Sequence, residues 1–160
     1  MSAELRDYFL DIDGIDGESL DEIHPKEIRI TEYKILARNR TARAEYKVGT
    51  TVFEDATFTG AVDCAFPKIQ DALLKNTNIK NAVLTCRKAG KTQEDFFKVT
   101  LTNVFVTSCN IDGSTVVPTV TFTLSFSRID IQYREQNDRG ILGGAMVASF
   151  EVRKDITATS

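Results

Sequence analysis

The sequence predicts an all-β, or mainly β, fold: a small β-barrel of two packed antiparallel sheets with one appended α-helix and an extended loop. Three observations carry this. Apolar residues recur at every second position over most of the chain, the period of half-buried strands. Two of these runs change parity partway, as strands do when they bend through a barrel corner. One short stretch alone has helical spacing.

Taken in order, Tyr8, Leu10 and Ile12 form a first strand, ended by the turn-rich Asp13-Gly14 to Ser19. Ile28 and Ile30 keep even positions, and Tyr33, Ile35 and Ala37 keep odd ones. A bulge or sharp bend is therefore expected near Thr31-Glu32. Residues 37 to 52 have no clear period and read as a long exposed connection, a kind of loop that is usually functional or disordered. Pro67 suits the first position of a helix, where its missing N–H costs nothing. Ile69, Ala72 and Leu73 then make one apolar stripe, and Asn76-Thr77-Asn78 stops it. A hairpin at Leu84 to Gly90 and a long strand from Val99 to Ser108 follow. Val120, Phe122, Leu124 and Phe126 share a face, then Ile129, Ile131 and Tyr133 share the next, so a bend is expected near Ser127-Arg128. After the glycine-rich Gly140 to Gly144, a last strand carries Met146, Ala148, Phe150 and Val152.

The 160 residues are most simply one domain, 1–160, able to bury roughly 68–70% of the unfolded surface. With 42% hydrophobic and 27% charged residues and a net charge of −3, the composition is that of a globular protein. It gives no global electrostatic support for nucleic-acid binding. No apolar run reaches 18 residues, so no membrane-spanning helix is expected. Residues 1 to 7 have neither a basic nor an apolar signal region, so the expectation is synthesis in the cytoplasm and export, if any, without a cleavable signal.

Chemical motifs are sparse. Cys64, Cys86 and Cys109 are odd in number and widely spaced, which fits three small half-buried strand residues and neither a disulfide framework nor a zinc site. Gly90-Lys91-Thr92 ends like a phosphate loop, but Thr85 stands where its first glycine belongs and strands flank it, so it reads as a hairpin turn. Asp11, Asp13, Asp16 and Glu22 fail the calcium-loop pattern, because Ile15 and Asp16 hold the fifth and sixth positions. His24 is the one histidine, has no second ring for a metal pair, and lacks a nucleophile elbow. Its expected role is to pin the Ser19–Glu27 turn. No catalytic residue, cofactor or metal site is expected.

Charge is organised in blocks. Residues 7 to 22 carry Asp7, Asp11, Asp13, Asp16, Glu18, Asp21 and Glu22 and no base. Residues 34 to 47 carry Lys34, Arg38, Arg40, Arg43 and Lys47 against Glu45 alone. Opposite patches on one chain favour head-to-tail contact between copies, which closes into a ring or runs on as a filament.

Ile12-Asp13-Gly14-Ile15-Asp16-Gly17-Glu18-Ser19, followed by His24 and Glu27-Ile28, resembles the N-terminal signature of the Hcp family, the haemolysin-coregulated proteins of bacterial type VI secretion. Three further landmarks follow in that family's order: Phe58, Thr59, Asp63 and Pro67; the hairpin Leu84-Thr85-Cys86-Arg87-Lys88-Ala89-Gly90; and the strand Val99 to Ser108. The resemblance implies a non-enzymatic tube subunit that forms a homo-hexameric ring. Such rings stack ring to ring into an inner tube, meet the sheath and spike proteins of the apparatus, and carry secreted effectors. Relatives stack through an extended loop at the position of residues 37 to 52, so the charge blocks are read as stacking contacts, Arg38, Arg40 and Arg43 against Asp13, Asp16 and Glu18. The corresponding strand in relatives lines the channel, which makes Lys34, set by alternation opposite Tyr33 and Ile35, the expected lumen-facing residue. The chain departs from the family where relatives often carry Trp-x-Trp (Tyr33-Lys34-Ile35 here), at the usual serine before Pro67 (Phe66 here), and at the C-terminal strand. Two alternatives stay open: a phage-tail or other contractile-injection tube subunit, and a small β-barrel ligand carrier.

Overall fold

Both parity switches prove to be places where the chain changes its partners. The computed structural model describes residues 6–39, 51–88, 94–113, 116–136 and 142–152. Within these, in chain order, lie β1 (Arg6–Ile12), β2 (Ile28–Ile30), β3 (Glu32–Lys34), β4 (Ala37–Asn39), β5 (Thr51–Phe53), β6 (Ala56–Ala61), α1 (Ala65–Leu74), β7 (Ile79–Lys88), β8 (Asp95–Asp112), β9 (Thr119–Ser125), β10 (Arg128–Gln136) and β11 (Leu142–Glu151). The break at Thr31 lets β2 pair with β1 and β3 with β6. The break at Phe126-Ser127 lets β9 lie between β6 and β8 while β10 joins β8 and β11.

All the ladders are antiparallel, in the order β2-β1-β7-β8-β9-β6-β3, with β10 and β11 branching from β8. The barrel is not closed by a ladder. Its two ends meet through one backbone bond, from Thr31 N–H to the Thr59 carbonyl at 2.8 Å. The long strand runs further than its apolar run suggested, from Asp95 to Asp112. It turns where Asn103 adopts φ 59°, a left-handed conformation that asparagine tolerates better than most residues. Asn78 donates to the Asn103 side-chain oxygen at 2.6 Å and holds that corner. Upstream β8 pairs with β7 and β10, and downstream with β9.

The core fills the space between the two bent halves. Leu10, Ile12, Phe58, Leu84, Leu101, Phe122, Leu124 and Ile129 are almost fully buried, each contributing about 1.5–3 kcal/mol of transfer free energy. Phe58 and Phe122 stack at 5.6 Å across β6 and β9. α1 covers this core with Ala65, Ile69 and Ala72.

The helix starts earlier than proline placed it. Ala65 is its first residue, so Pro67 is the third, a position whose N–H also lacks an acceptor within the helix. The missing serine cap is replaced from two sides. The Asp63 carboxylate accepts the Ala65 N–H at 2.9 Å, and Glu18, from the first turn, accepts the Cys64 N–H at 3.0 Å. At the other end Asn76 takes φ 53°, with Asn76 N–H donating to the Leu73 carbonyl and Thr77 N–H to that of Ala72. That is a Schellman ending, with asparagine in the place glycine usually takes. Cys64 is exposed at the head of this helix, whereas Cys86 and Cys109 lie in strands, so the expectation of three strand cysteines holds for two.

The unpatterned connection is framed by two short strands. Ala37–Asn39 and Thr51–Phe53 pair as a two-stranded ribbon, fixed because Phe53 packs edge-on to Phe126 at 5.9 Å. Residues 40–50, with Arg40 and Arg43, lie outside the described residues.

Gly60 tests the crossing of β2 over β6. A Cβ there would sit 2.6 Å from the Arg29 carbonyl oxygen, a backbone atom that cannot swing away. Gly60→Ala is expected to lower stability by about 1–3 kcal/mol. Gly113→Ala, with nothing within 4 Å, is expected to stay within about 0.5 kcal/mol. Urea midpoints of the two variants check this, and equal midpoints would contradict the crossing.

Candidate functional site

The Gly-Glu-Ser turn lies over the outer face of β1 and β7, and each of its residues has a physical task. Gly17 donates its N–H to the Lys26 carbonyl at 2.7 Å, and a Cβ on it would meet the Glu27 carbonyl oxygen at 2.5 Å. Only glycine fits so close an approach. Glu18 reaches across to the head of α1. Ser19 is buried, exchanges backbone hydrogen bonds with Lys26 and Glu27, and its Oγ accepts the Asp21 N–H at 3.2 Å.

Beneath the turn is a second, smaller core. Phe9 is fully buried yet faces away from Leu10 and Ile12. The His24 ring stacks on it at 4.7 Å, with the Arg87 and Arg29 guanidinium groups 5.0 and 5.5 Å from its centroid. Arg87 is 2% exposed. It donates two hydrogen bonds to Asp21, at 2.9 and 2.7 Å, and one to Asp7 at 3.1 Å. Asp21 also accepts the Ile23 and His24 N–H groups. The hydrogen bonds from Arg87 hold the Asp21 carboxyl far below the usual carboxylate range, with those two N–H groups adding to the effect against burial. The guanidinium is raised in turn, chiefly by Asp21.

His24 pins this layer as the sequence suggested, and more firmly. Its Nδ1 lies 2.5 Å from Glu27 and its Nε2 2.9 Å from Asp95 on β8. Burial pushes the Glu27 carboxyl up, opposed by His24. With both nitrogens held by carboxylates, the imidazole is a positioning group. Among the described residues no group of three or more histidine, cysteine or acidic side chains could hold a metal.

The charge blocks therefore divide. Asp7 and Asp21 serve Arg87, and Glu18 serves α1, whereas Asp11, Asp13, Asp16 and Glu22 are left on the surface. Arg38 pairs with Glu54 of its own chain at 2.8 Å, both groups largely exposed. The sequence reading missed Arg87. A run of seven acids without a base was the available signal, because a folded chain needs a cation near such a run.

Lys34 is exposed on the edge strand β3, opposite Tyr33, which packs on the core. In register it continues a row across the sheet, Lys34–Thr57–Thr123–Ser108, beside the row Glu32–Thr59–Thr121–Asn110. The hydroxyls bond to one another, Ser108 to Thr123 at 2.6 Å and Thr59 to Thr121 at 3.2 Å. The outer face of this half-barrel is thus polar and small, with Lys34 and Glu32 as the charged ends of its rows.

Turn, second core and hydroxyl face make surfaces, which is the organisation of a structural β subunit. A family profile described as "Type VI secretion system effector, Hcp" matches residues 9–133. The chain is 27% identical over 159 residues to "Protein hcp1" of Pseudomonas aeruginosa, covering 95% of this chain and 98% of that one. Its fold is similar to the crystal structure of Hcp1 from Salmonella typhimurium, with TM-score 0.79 and 28% identity over 92% of this chain and 95% of the other. It is also similar to a type VI secretion system effector from Yersinia pestis, with TM-score 0.76 and 26% identity over 91% and 100%. The chain belongs to the Hcp family. It is a type VI secretion tube protein, of a family that forms tube-like assemblies and is secreted.

The Arg87 clamp has a signed pH consequence. Because the Asp21 carboxyl is depressed in the fold, its stabilisation is fully present above the unfolded value of about 3.9 and is lost as pH falls below it. Asp21→Asn is expected to cost about 3 kcal/mol at neutral pH, the usual penalty of stripping a partner from a buried charge. The gap from wild type should shrink on acidification below about pH 4. Urea unfolding of both proteins at several pH values measures it, and a gap that does not vary with pH would count against the clamp.

Proposed function

We propose that this chain, as one domain over residues 1–160, is a non-catalytic ring-forming subunit, six copies to a ring, whose rings stack into the inner tube of the type VI apparatus. The observation that carries this is the fold matched across nearly the whole chain to Hcp structures, on a molecule whose one histidine has both nitrogens held by carboxylates. In this reading the subunit is made in the cytoplasm and leaves with the tube. Sheath, spike and secreted effector proteins are its partners, and effectors ride inside the ring. Among the described residues no helix is long and apolar enough to cross a membrane.

We assign Lys34 and the hydroxyl rows beside it to the lumen. Hydroxyls bonded to each other offer few strong sites for a charged side chain, which suits a wall that must release what it carries. Stacking is assigned to Arg38, Arg40 and Arg43 against Asp13 and Asp16 of the next ring. Glu18 joins them through the carboxylate oxygen left over from its bond to Cys64. Arg38 has to exchange its Glu54 partner for that contact, which exposed pairs do at little cost.

Light scattering is expected to give a particle about six times the 17.8 kDa subunit. Reversing Arg38, Arg40 and Arg43 to Glu should leave that mass unchanged and reduce tube formation seen by electron microscopy. Each exposed contact is worth only about 0.2–1 kcal/mol, but it repeats around every junction. Wild-type stacking should also weaken with salt, as contacts screened within about 10 Å at 0.1 M do. Tubes of undiminished length from the triple variant would remove the charge blocks from the stacking contact.

A further inference from the structure

β11 keeps the period of a half-buried strand, but among the described residues most of its apolar face is exposed. In register with β10, Phe150 stands beside Ile129, Ala148 beside Ile131, and Met146 beside Tyr133. Ile129 is 1% exposed, whereas Tyr133 is 42% and Met146 66% exposed. One apolar stripe therefore begins inside the core and runs out of it along the ribbon. Phe53 shields its root, 5.5 Å from Phe150, and Ala148 and Met146 lie beyond that cover. Among the described residues β11 pairs only with β10, so its other backbone edge is open. β10 is held on its other side by β8 as far as Tyr133, so β11 is the outermost strand there, and an apolar strand edge is a template for another chain.

The same molecule supplies the kind of partner that fits. β3, at the far end of the ladder path, is a second and unlike edge. Two unlike surfaces on one chain join head to tail, the contact that closes into rings. The back of the ribbon offers little net charge to recruit a foreign partner, because Arg128 and Arg134 there are balanced by Asp130 and Glu151. We propose that the β10–β11 ribbon is an arm docking each subunit on the next copy of this chain, which covers Tyr133, Met146, Ala148 and Phe150. This rests on the ring reading above and adds the surface that makes the ring.

The test compares the full-length wild type with Met146→Asp by light scattering over a dilution series, with far-UV circular dichroism as the check on folding. Met146 is exposed in the subunit, so the fold is expected to survive. The concentration at which the ring falls apart should rise by about tenfold or more, the effect of losing a central apolar contact. Unchanged folding with an unchanged dissociation midpoint overturns the arm and leaves the ring standing. A wild type that is monomeric throughout overturns the ring reading and the arm with it. Amide hydrogen exchange decides the matter without a variant. Residues 142–150 should exchange more slowly in rings than in dissociated subunits, and equal rates overturn the proposal.

Discussion

Arg87 is the buried charge around which the outer layer is arranged. Its guanidinium is out of water, so it must be matched, and Asp7 on β1 and Asp21 on the turn match it from two directions. That fixes the turn over β1 and β7, and with it the depth at which Phe9 is covered. His24 follows, because its N–H is bonded to the same Asp21 carboxylate, and so does its reach to Asp95 on β8. The turn in turn places Glu18 at the head of α1. One ion cluster thus links strand, turn, neighbouring strand and helix. Among the described residues the guanidinium Nε finds no hydrogen-bond partner, a cost accepted next to the Phe9 ring.

The second constraint is the limit on how far a twisted antiparallel sheet can wrap with so few residues. Strands change partners at Thr31, Asn103 and Ser127, and each change is secured by a hydrogen bond. Thr31 N–H donates to Thr59, and Ser127 N–H to Thr102. The barrel so formed has two faces of different chemistry. Hydroxyls cover the β6–β9 face, and the turn with its ions covers the β1–β7 face. It also has open ends, and open ends are what an assembling subunit requires.

Charge reads differently once folded. A block of seven acids in sequence suggests one repulsive patch, but three of them have intramolecular duties and four reach the surface. The basic block is likewise thinned by the Arg38–Glu54 pair. Summed charge along a segment therefore overstates what the segment can offer to a neighbouring copy.

Period-two alternation was enough to place most of the strands, though not β4, β5 or the full length of β8, and parity switches were enough to place two bends, because each side chain's face follows from backbone geometry alone. The Gly-Glu-Ser turn was legible as a family mark, and the stop at Asn76 as a helix end. Tertiary structure alone decided that Arg87 is inside, since its partners lie 66 and 80 residues away in sequence. It alone started α1 at Ala65, because one of the caps, Glu18, comes from a turn 46 residues earlier. Alternation in β11 announced a strand with an apolar face, but whether that face is covered depends on what stands opposite it. Local sequence carries the period; it does not carry the partner.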